Sequence, residues 1–152
     1  MLLQLYFYGD CGTNLKKNWI DLKKDIEIPE SKGIYLAAVR EKNEEFQCME
    51  WNAYLINDSE TSIEMALIVT KGFDKEESTS TMRHSIKMLP AKSFAKIEFL
   101  QDEVLRLNNQ FFVTYFADDR MYEKTFLFPK DSINEAALKN LPVIKKQGVL
   151  VK

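Results

Sequence analysis

Between residues 33 and 128 the sequence alternates between apolar and polar residues, and turn residues interrupt the alternation at short intervals. A period of two is typical of strands that bury one face of a sheet. Seven short runs of this kind favour a sandwich or barrel over alternating βαβ units. The runs are Ile34–Val39, Trp51–Ile56, Ile63–Val69, Ser80–Met88, Ala95–Phe99, Phe111–Phe116 and Tyr122–Phe128.

Two features refine the predicted strands. Asp118 and Asp119 separate the last two runs, which predicts a hairpin. In the third run, the large side chains from Ile63 to Val69 share one parity and alternate with Glu64 and Thr70. We therefore expect those large side chains on one face of their strand.

The two ends of the chain have helical rather than alternating patterns. Thr13 is placed to cap a helix over 14–24, where Leu15, Trp19 and Leu22 form one stripe. Residues 1–24 are therefore interpreted as an N-terminal extension, and residues 25–152 as a single β-rich domain.

Near the C-terminus, Ser132 and Glu135 fit a capping box. They predict a short helix that ends near Pro142, followed by a closing strand over Val143–Val151. We expect a mainly β protein, an antiparallel β-sandwich for which an immunoglobulin-like shape is one option. It would carry this short C-terminal helix and the N-terminal helical extension.

The scarce residue types exclude several named chemistries. The chain has one histidine, His84, so no site that needs two histidines can form. The spacing of its five glycines matches neither a dinucleotide-binding motif nor a P-loop. Cys11 and Cys48 are too few for a zinc site or a disulfide framework, and Cys11 lacks a C-x-x-C partner. We therefore predict no catalytic residue, no cofactor and no metal.

The charge balance indicates which partners to expect. Lys and Arg number 21 against 23 Asp and Glu, a net charge of −2. Nucleic-acid-binding domains usually have a basic face, so charge does not support a nucleic-acid partner. No stretch approaches the roughly 18 apolar residues of a membrane span. We expect a cytoplasmic protein with a protein partner and no membrane contact.

One predicted strand carries the candidate binding residues Arg83, His84 and Lys87. Arg83 and Lys87 share the outward parity of this strand and would contact phosphates or a partner protein. A solvated polar face is the alternative for both. His84 has the parity of Met82 and Ile86, so it is either a hydrogen-bonded core histidine or a general base.

Two stretches resemble known bacterial proteins. With Gly33–Val39 before it, Trp51–Ser59 is similar to the β-rich accessory domain of some bacterial Smr-domain proteins. Residues 23–152 resemble a group of small bacterial proteins, some of which carry the name phenylalanyl-tRNA synthetase alpha subunit. The shared segments are KKDIEIPE, YLIN, the Ser80–His84 segment, LPV and GVL.

The resemblance implies relatedness and a possible place in translation rather than an activity, because the shared segments carry no catalytic motif. A class II synthetase needs arginines and a glycine-rich segment around ATP on a longer α/β body, a setting that this chain does not offer. Two hypotheses follow: a non-enzymatic binding or adaptor module, and a nucleic-acid- or translation-associated accessory protein.

Overall fold

The computed structural model describes residues 30–152, so the predicted helix over 14–24, the boundary at residue 24 and Cys11 lie outside the described residues. The described chain folds into nine strands, a helix and a 3-10 turn. Helix α1 (Asp102–Leu105) follows β5, and the 3-10 turn (Glu135–Ala137) precedes β8. The strands are β1 (Ile34–Asn43), β2 (Cys48–Asn57), β3 (Met65–Phe73), β4 (Met82–Ile86), β5 (Ser93–Leu100), β6 (Asn108–Ala117), β7 (Arg120–Phe128), β8 (Lys139–Asn140) and β9 (Gln147–Val151).

The strands form two sheets in which every pair is antiparallel. The five-stranded sheet has the order β5-β2-β1-β9-β8, and the four-stranded sheet has the order β4-β3-β6-β7. The prediction of a mainly β, antiparallel protein is confirmed. The hairpin at Asp118 and Asp119 is confirmed too: both residues have positive φ, 53° and 56°, as a two-residue turn between twisted strands requires.

One hydrophobic core joins the two sheets, because buried side chains of both belong to the same contact cluster. Phe111, Phe126 and Phe128 are the largest fully buried side chains on the four-stranded sheet, and Leu36 and Leu55 face them from the other. The rings of Phe111 and Phe128 meet edge to face, with centroids 5.9 Å apart. This core fixes which side chains of each strand point inward and which point outward.

Met65, Leu67 and Val69 share one face of β3 as predicted, and that face is the outer one, whereas Ile63 lies before the strand and is buried. The buried side chains are Ala66, Ile68 and Thr70, whereas Met65 and Leu67 are exposed on the opposite face. Both parities of this strand are mainly apolar, so alternation alone does not choose between them. The large phenylalanines of β6 and β7 fill the core, so the smaller side chains of β3 face it.

The predicted C-terminal helix and its cap are also wrong. The segment makes only the 3-10 turn Glu135–Ala137, and Asn134 caps it by accepting the backbone N–H of Ala137 at 3.1 Å. The hydroxyl of Ser132 instead donates to the carbonyl of Pro129 at 2.6 Å. The closing strand is confirmed but begins later, at Gln147.

The loop between β8 and β9 lies across the outer face of the five-stranded sheet. Ile144 from this loop packs in a second buried cluster with Ala37, Val39 and Ile56. Strand β9 approaches β1 closely at Gly148, where an added Cβ would meet the carbonyl oxygen of Ala38 at 2.6 Å. A glycine is therefore required there.

Candidate functional site

The structure separates the three candidate binding residues into two places. Arg83 pairs with Val69 in register and points to the outer side of the four-stranded sheet. His84 pairs with Ile68 and points inward, between the sheets. Lys87 is exposed just beyond the end of β4. The predicted segment is therefore not one site: His84 belongs to an internal cluster, and Arg83 lies at the rim of a surface.

That surface is the outer side of the four-stranded sheet, which we call the open face. Side chains of β3, β6 and β7 with outward parity form it, and they are mostly apolar. In the described chain the six largest are 37–44% exposed, so no other element covers them. The apolar members are Met65, Leu67, Val69, Phe112, Phe116, Met121 and Leu127.

The register shows that the apolar side chains are contiguous. Met65, Phe116 and Met121 are paired across three adjacent strands, and Val69 is paired with Phe112. Leu67 lies between these two rows on β3. Directly opposed side chains in antiparallel strands contact each other. The open face is therefore one continuous apolar patch, a feature that commonly marks an interaction surface.

Charged side chains flank the patch unequally. Arg83 stands on β4 at one edge, and Lys71 lies at the end of the β3 row. On β7, at the opposite edge, Glu123 is exposed beside Thr114. The open face thus has a basic edge at β4 and an acidic edge at β7. Opposite charges at the two edges would orient a bound partner.

One edge strand of each sheet, β7 and β5, is poorly suited to accept a further strand. On β7 the side chain of Lys124 points inward, with its ammonium 5.0 Å from the ring centroid of Phe126. On β5 the pairing with β2 shifts between Ala53 and Tyr54, and Glu98 points inward. Inward charges and bulges of this kind hinder edge-to-edge pairing. The faces, rather than these two edges, are therefore the candidate surfaces.

The second cluster lies between the sheets on the side where β4 and β5 face each other. His84 Nε2 lies 3.0 Å from Glu98 Oε2, and the Thr70 hydroxyl donates to the same oxygen at 3.3 Å. Both partners of the ion pair are largely shielded, with 22% and 14% of their side chains exposed. Because Thr70 and His84 both contact the carboxylate, the hydroxyl is not activated by the imidazole, and the cluster lacks a nucleophile–base pair.

A cleft of about 460 Å³ opens beside this cluster. Its volume falls in the range of small-molecule sites. Thr70 and Glu98 line it together with residues from β3, β5, β6 and α1. Sequence reasoning found His84 but missed Glu98, because a single glutamate at a polar position of an alternating run gives no signal. The bulge that turns Glu98 inward is visible only once β5 is paired with β2.

A third polar cluster holds the covering loop on the five-stranded sheet. Glu41 accepts hydrogen bonds from Lys146 at 2.6 Å, and from Asn52 and Tyr54 at 2.7 Å each. Burial acts to raise the pKa of Glu41, but these hydrogen bonds outweigh it and hold the pKa below 4.5. Burial and the Glu41 carboxylate raise the pKa of the Tyr54 phenol, which remains protonated. This network fastens Lys146 and with it the loop.

Three further findings concern residues 30–152 or the whole sequence. Within residues 30–152, no group of three histidine, cysteine or carboxylate side chains is arranged to hold a metal ion. No helix in the same range is long and apolar enough to cross a membrane. No protein-family model and no curated protein matches the sequence.

Proposed function

We propose that the protein is a non-enzymatic β-sandwich binding module that docks a partner protein on the open face. The observation that carries this proposal is the continuous apolar patch around Leu67, Phe112 and Phe116, whose side chains remain substantially exposed in the described chain. Exposing such a patch to water is unfavourable, and burying it against a partner stabilises the complex by about 25 cal/mol per Å².

The flanking charges define the chemistry of the partner. A four-stranded face with strands about 4.8 Å apart is roughly 20 Å wide, enough to seat one amphipathic helix of about 10 Å diameter. Arg83 at one edge fits an acidic side chain of the partner, and Glu123 at the other fits a basic one. The partner is thus an apolar protein segment with an acidic side toward β4 and a basic side toward β7. Such complementary charges orient a complex more than they strengthen it.

A nucleic-acid- or translation-associated role is the second candidate. Phe112 and Phe116 are exposed on the central strand β6, and Arg83 and Lys71 lie near them. Exposed aromatic side chains on a sheet, together with basic residues, can stack single-stranded bases. The remaining apolar members of the patch are aliphatic and do not stack, and Glu123 repels phosphate. These two points favour a protein partner.

Site-specific photo-crosslinking tests the proposal directly. Benzoylphenylalanine replaces Phe112 on the open face and, as a matched control, Phe94, which is 46% exposed on the five-stranded sheet. In nuclease-treated native lysate we expect one discrete protein adduct from position 112 and none from position 94. Arg83→Glu should weaken the adduct, because it reverses the charge at the basic edge.

Two outcomes would reject the proposal. Equal adducts from both positions would show that the open face is not selective, and an adduct that disappears on nuclease treatment would point to nucleic acid. The second candidate has its own test, fluorescence anisotropy with a single-stranded RNA. Binding that falls steeply with salt and is lost in Phe112→Ala would support it, and no binding at low salt would exclude it.

A further inference from the structure

The cleft beside His84 is formed by two strands that belong to different sheets. Edge strand β4 forms one lip, where Met82 is 52% exposed, and β5 forms the other through the inward-facing Glu98 and Leu100. The floor contains Phe111 from the core and Thr70 from β3. A cleft lined by both apolar and polar side chains has the usual composition of a small-ligand site.

Two acceptor oxygens of the cleft lie without a donor within residues 30–152, and the donor side chains Ser80, Gln101 and Lys71 also line it. Glu98 uses Oε2 for His84 and Thr70, and within residues 30–152 no hydrogen bond reaches its Oε1. Asn109 donates its amide to the carbonyls of Val104 and Leu107, and in the same range no donor reaches its Oδ1. Both residues line the cleft. A ligand that satisfies these atoms must therefore bring hydrogen-bond donors.

The charged groups of the cleft restrict the class of possible ligands further. Glu98 is its carboxylate, only 14% exposed, and such a shielded anion attracts a cation more strongly than a surface one does. The ammonium of Lys71, the one cation among the lining residues, lies 6.0 Å from the ring centroid of Phe73. The apolar lining side chains Met82 and Leu100 suit an aromatic or aliphatic body attached to the charged group.

From this arrangement we infer that the cleft binds a primary ammonium or guanidinium group carried on a short apolar or aromatic body. The cation contacts Oε1 of Glu98, and the apolar body packs between Met82 and Leu100. A free arylalkylamine and a lysine or arginine side chain of a partner protein share this chemistry. The inference does not depend on the open face, which lies on the opposite side of β3 and β4.

NMR titration of the full chain with phenethylamine tests the inference. We expect saturable shifts of the Gly72, Leu100 and Asn109 amides, with a dissociation constant in the millimolar range. Phenylpropionate, an anion of similar size, should leave these amides unmoved. Blocked lysine and blocked arginine amides form the second arm: binding as tight as that of phenethylamine assigns the cation to a partner side chain, and weaker binding assigns it to a free amine.

Variants in the cleft and matched control variants distinguish loss of ligand binding from loss of the folded structure. Glu98→Gln should lower the affinity for phenethylamine by roughly tenfold or more, because a charged hydrogen bond is lost. Met82→Ala, at the exposed β4 lip, should weaken phenethylamine binding without unfolding the protein. Glu103→Gln on α1 and Phe94→Ala on β5 are the matched controls, which should bind like the native chain. Equal shifts from phenylpropionate, unchanged binding by both cleft variants, or no saturable shift up to about 10 mM would overturn the inference.

Discussion

The two outer faces of the molecule carry similar apolar side chains but have different surroundings. On the five-stranded sheet, Ala37, Val39 and Ile56 are completely buried, because the loop after β8 packs Ile144 over them. On the four-stranded sheet, side chains of equal or larger size, such as Leu67 and Phe112, stay substantially exposed. Within residues 30–152, an apolar outer face is therefore closed by the chain itself on one side and left exposed on the other.

Closing the first face requires an unfavourable backbone conformation. Val143 has a φ of 66°, and the N–H of Ile144 donates to the carbonyl of Pro142 at 2.6 Å, which together describe a γ-turn of the strained kind. Strain of this type costs about 1–3 kcal/mol at a β-branched residue. The burial of Ile144 and the Lys146–Glu41 ion pair offset it. Covering an apolar face was thus achievable in this fold, which argues that the open face is kept for a partner.

The largest expected effect on stability comes from uncovering the closed face. Ile144→Ala should lower the free energy of unfolding by about 2–4 kcal/mol, because it removes a side chain that is 3% exposed and leaves a cavity over Val39 and Ile56. Urea denaturation measures the loss. Phe112→Ala on the open face is the control and should cost less than about 1 kcal/mol. Equal losses would contradict the difference between the faces.

The hydrogen-bond network of Glu41, which holds the covering loop, should make a smaller and pH-dependent contribution to the free energy of unfolding. The folded-state pKa of Glu41 lies below 4.5, so the stability it contributes is present above pH 4.5 and is lost as the pH falls through the folded-state pKa. Glu41→Gln should destabilise by about 1–3 kcal/mol at neutral pH. Urea denaturation at neutral pH and at about pH 3 should show this difference shrink with acid. A difference that is constant with pH would assign the effect to shape rather than to charge.

The sequence predicted the strands and the hairpin well, because period two and turn chemistry act locally. All seven predicted runs overlap strands, and Asp118 and Asp119 form the expected turn. Local patterns gave no answer where tertiary packing determines which side of a strand is buried. Alternation in β3 could not show which of two apolar parities meets the rings of Phe111 and Phe126, and this choice creates the open face.

The candidate sites were less predictable for the same reason. His84 stood out as the single histidine, but its partner Glu98 reaches it only because a bulge in the β2–β5 pairing rotates that residue inward. Arg83 was correctly placed on an outward face, whereas alternation placed the large side chains of the third run on one face without showing that it is the outer one. The capping-box pattern at Ser132 failed because the side chain of Asn134, and not that of Ser132, accepts the backbone N–H that caps the turn, while the Ser132 hydroxyl donates to the carbonyl of Pro129.

The smallest effect on stability is expected where the effect on binding is greatest. Leu67→Lys places a charge in the centre of the open face, where the native side chain is already 44% exposed, so the free energy of unfolding should change by less than about 0.5 kcal/mol. The adduct from benzoylphenylalanine at position 112 should nevertheless disappear, because a partner would have to bury the ammonium. Val39→Lys on the closed face is the matched variant: Val39 is fully buried, so it should lose several kcal/mol or fail to fold. A loss above about 2 kcal/mol for Leu67→Lys would show that the native chain covers this face as well.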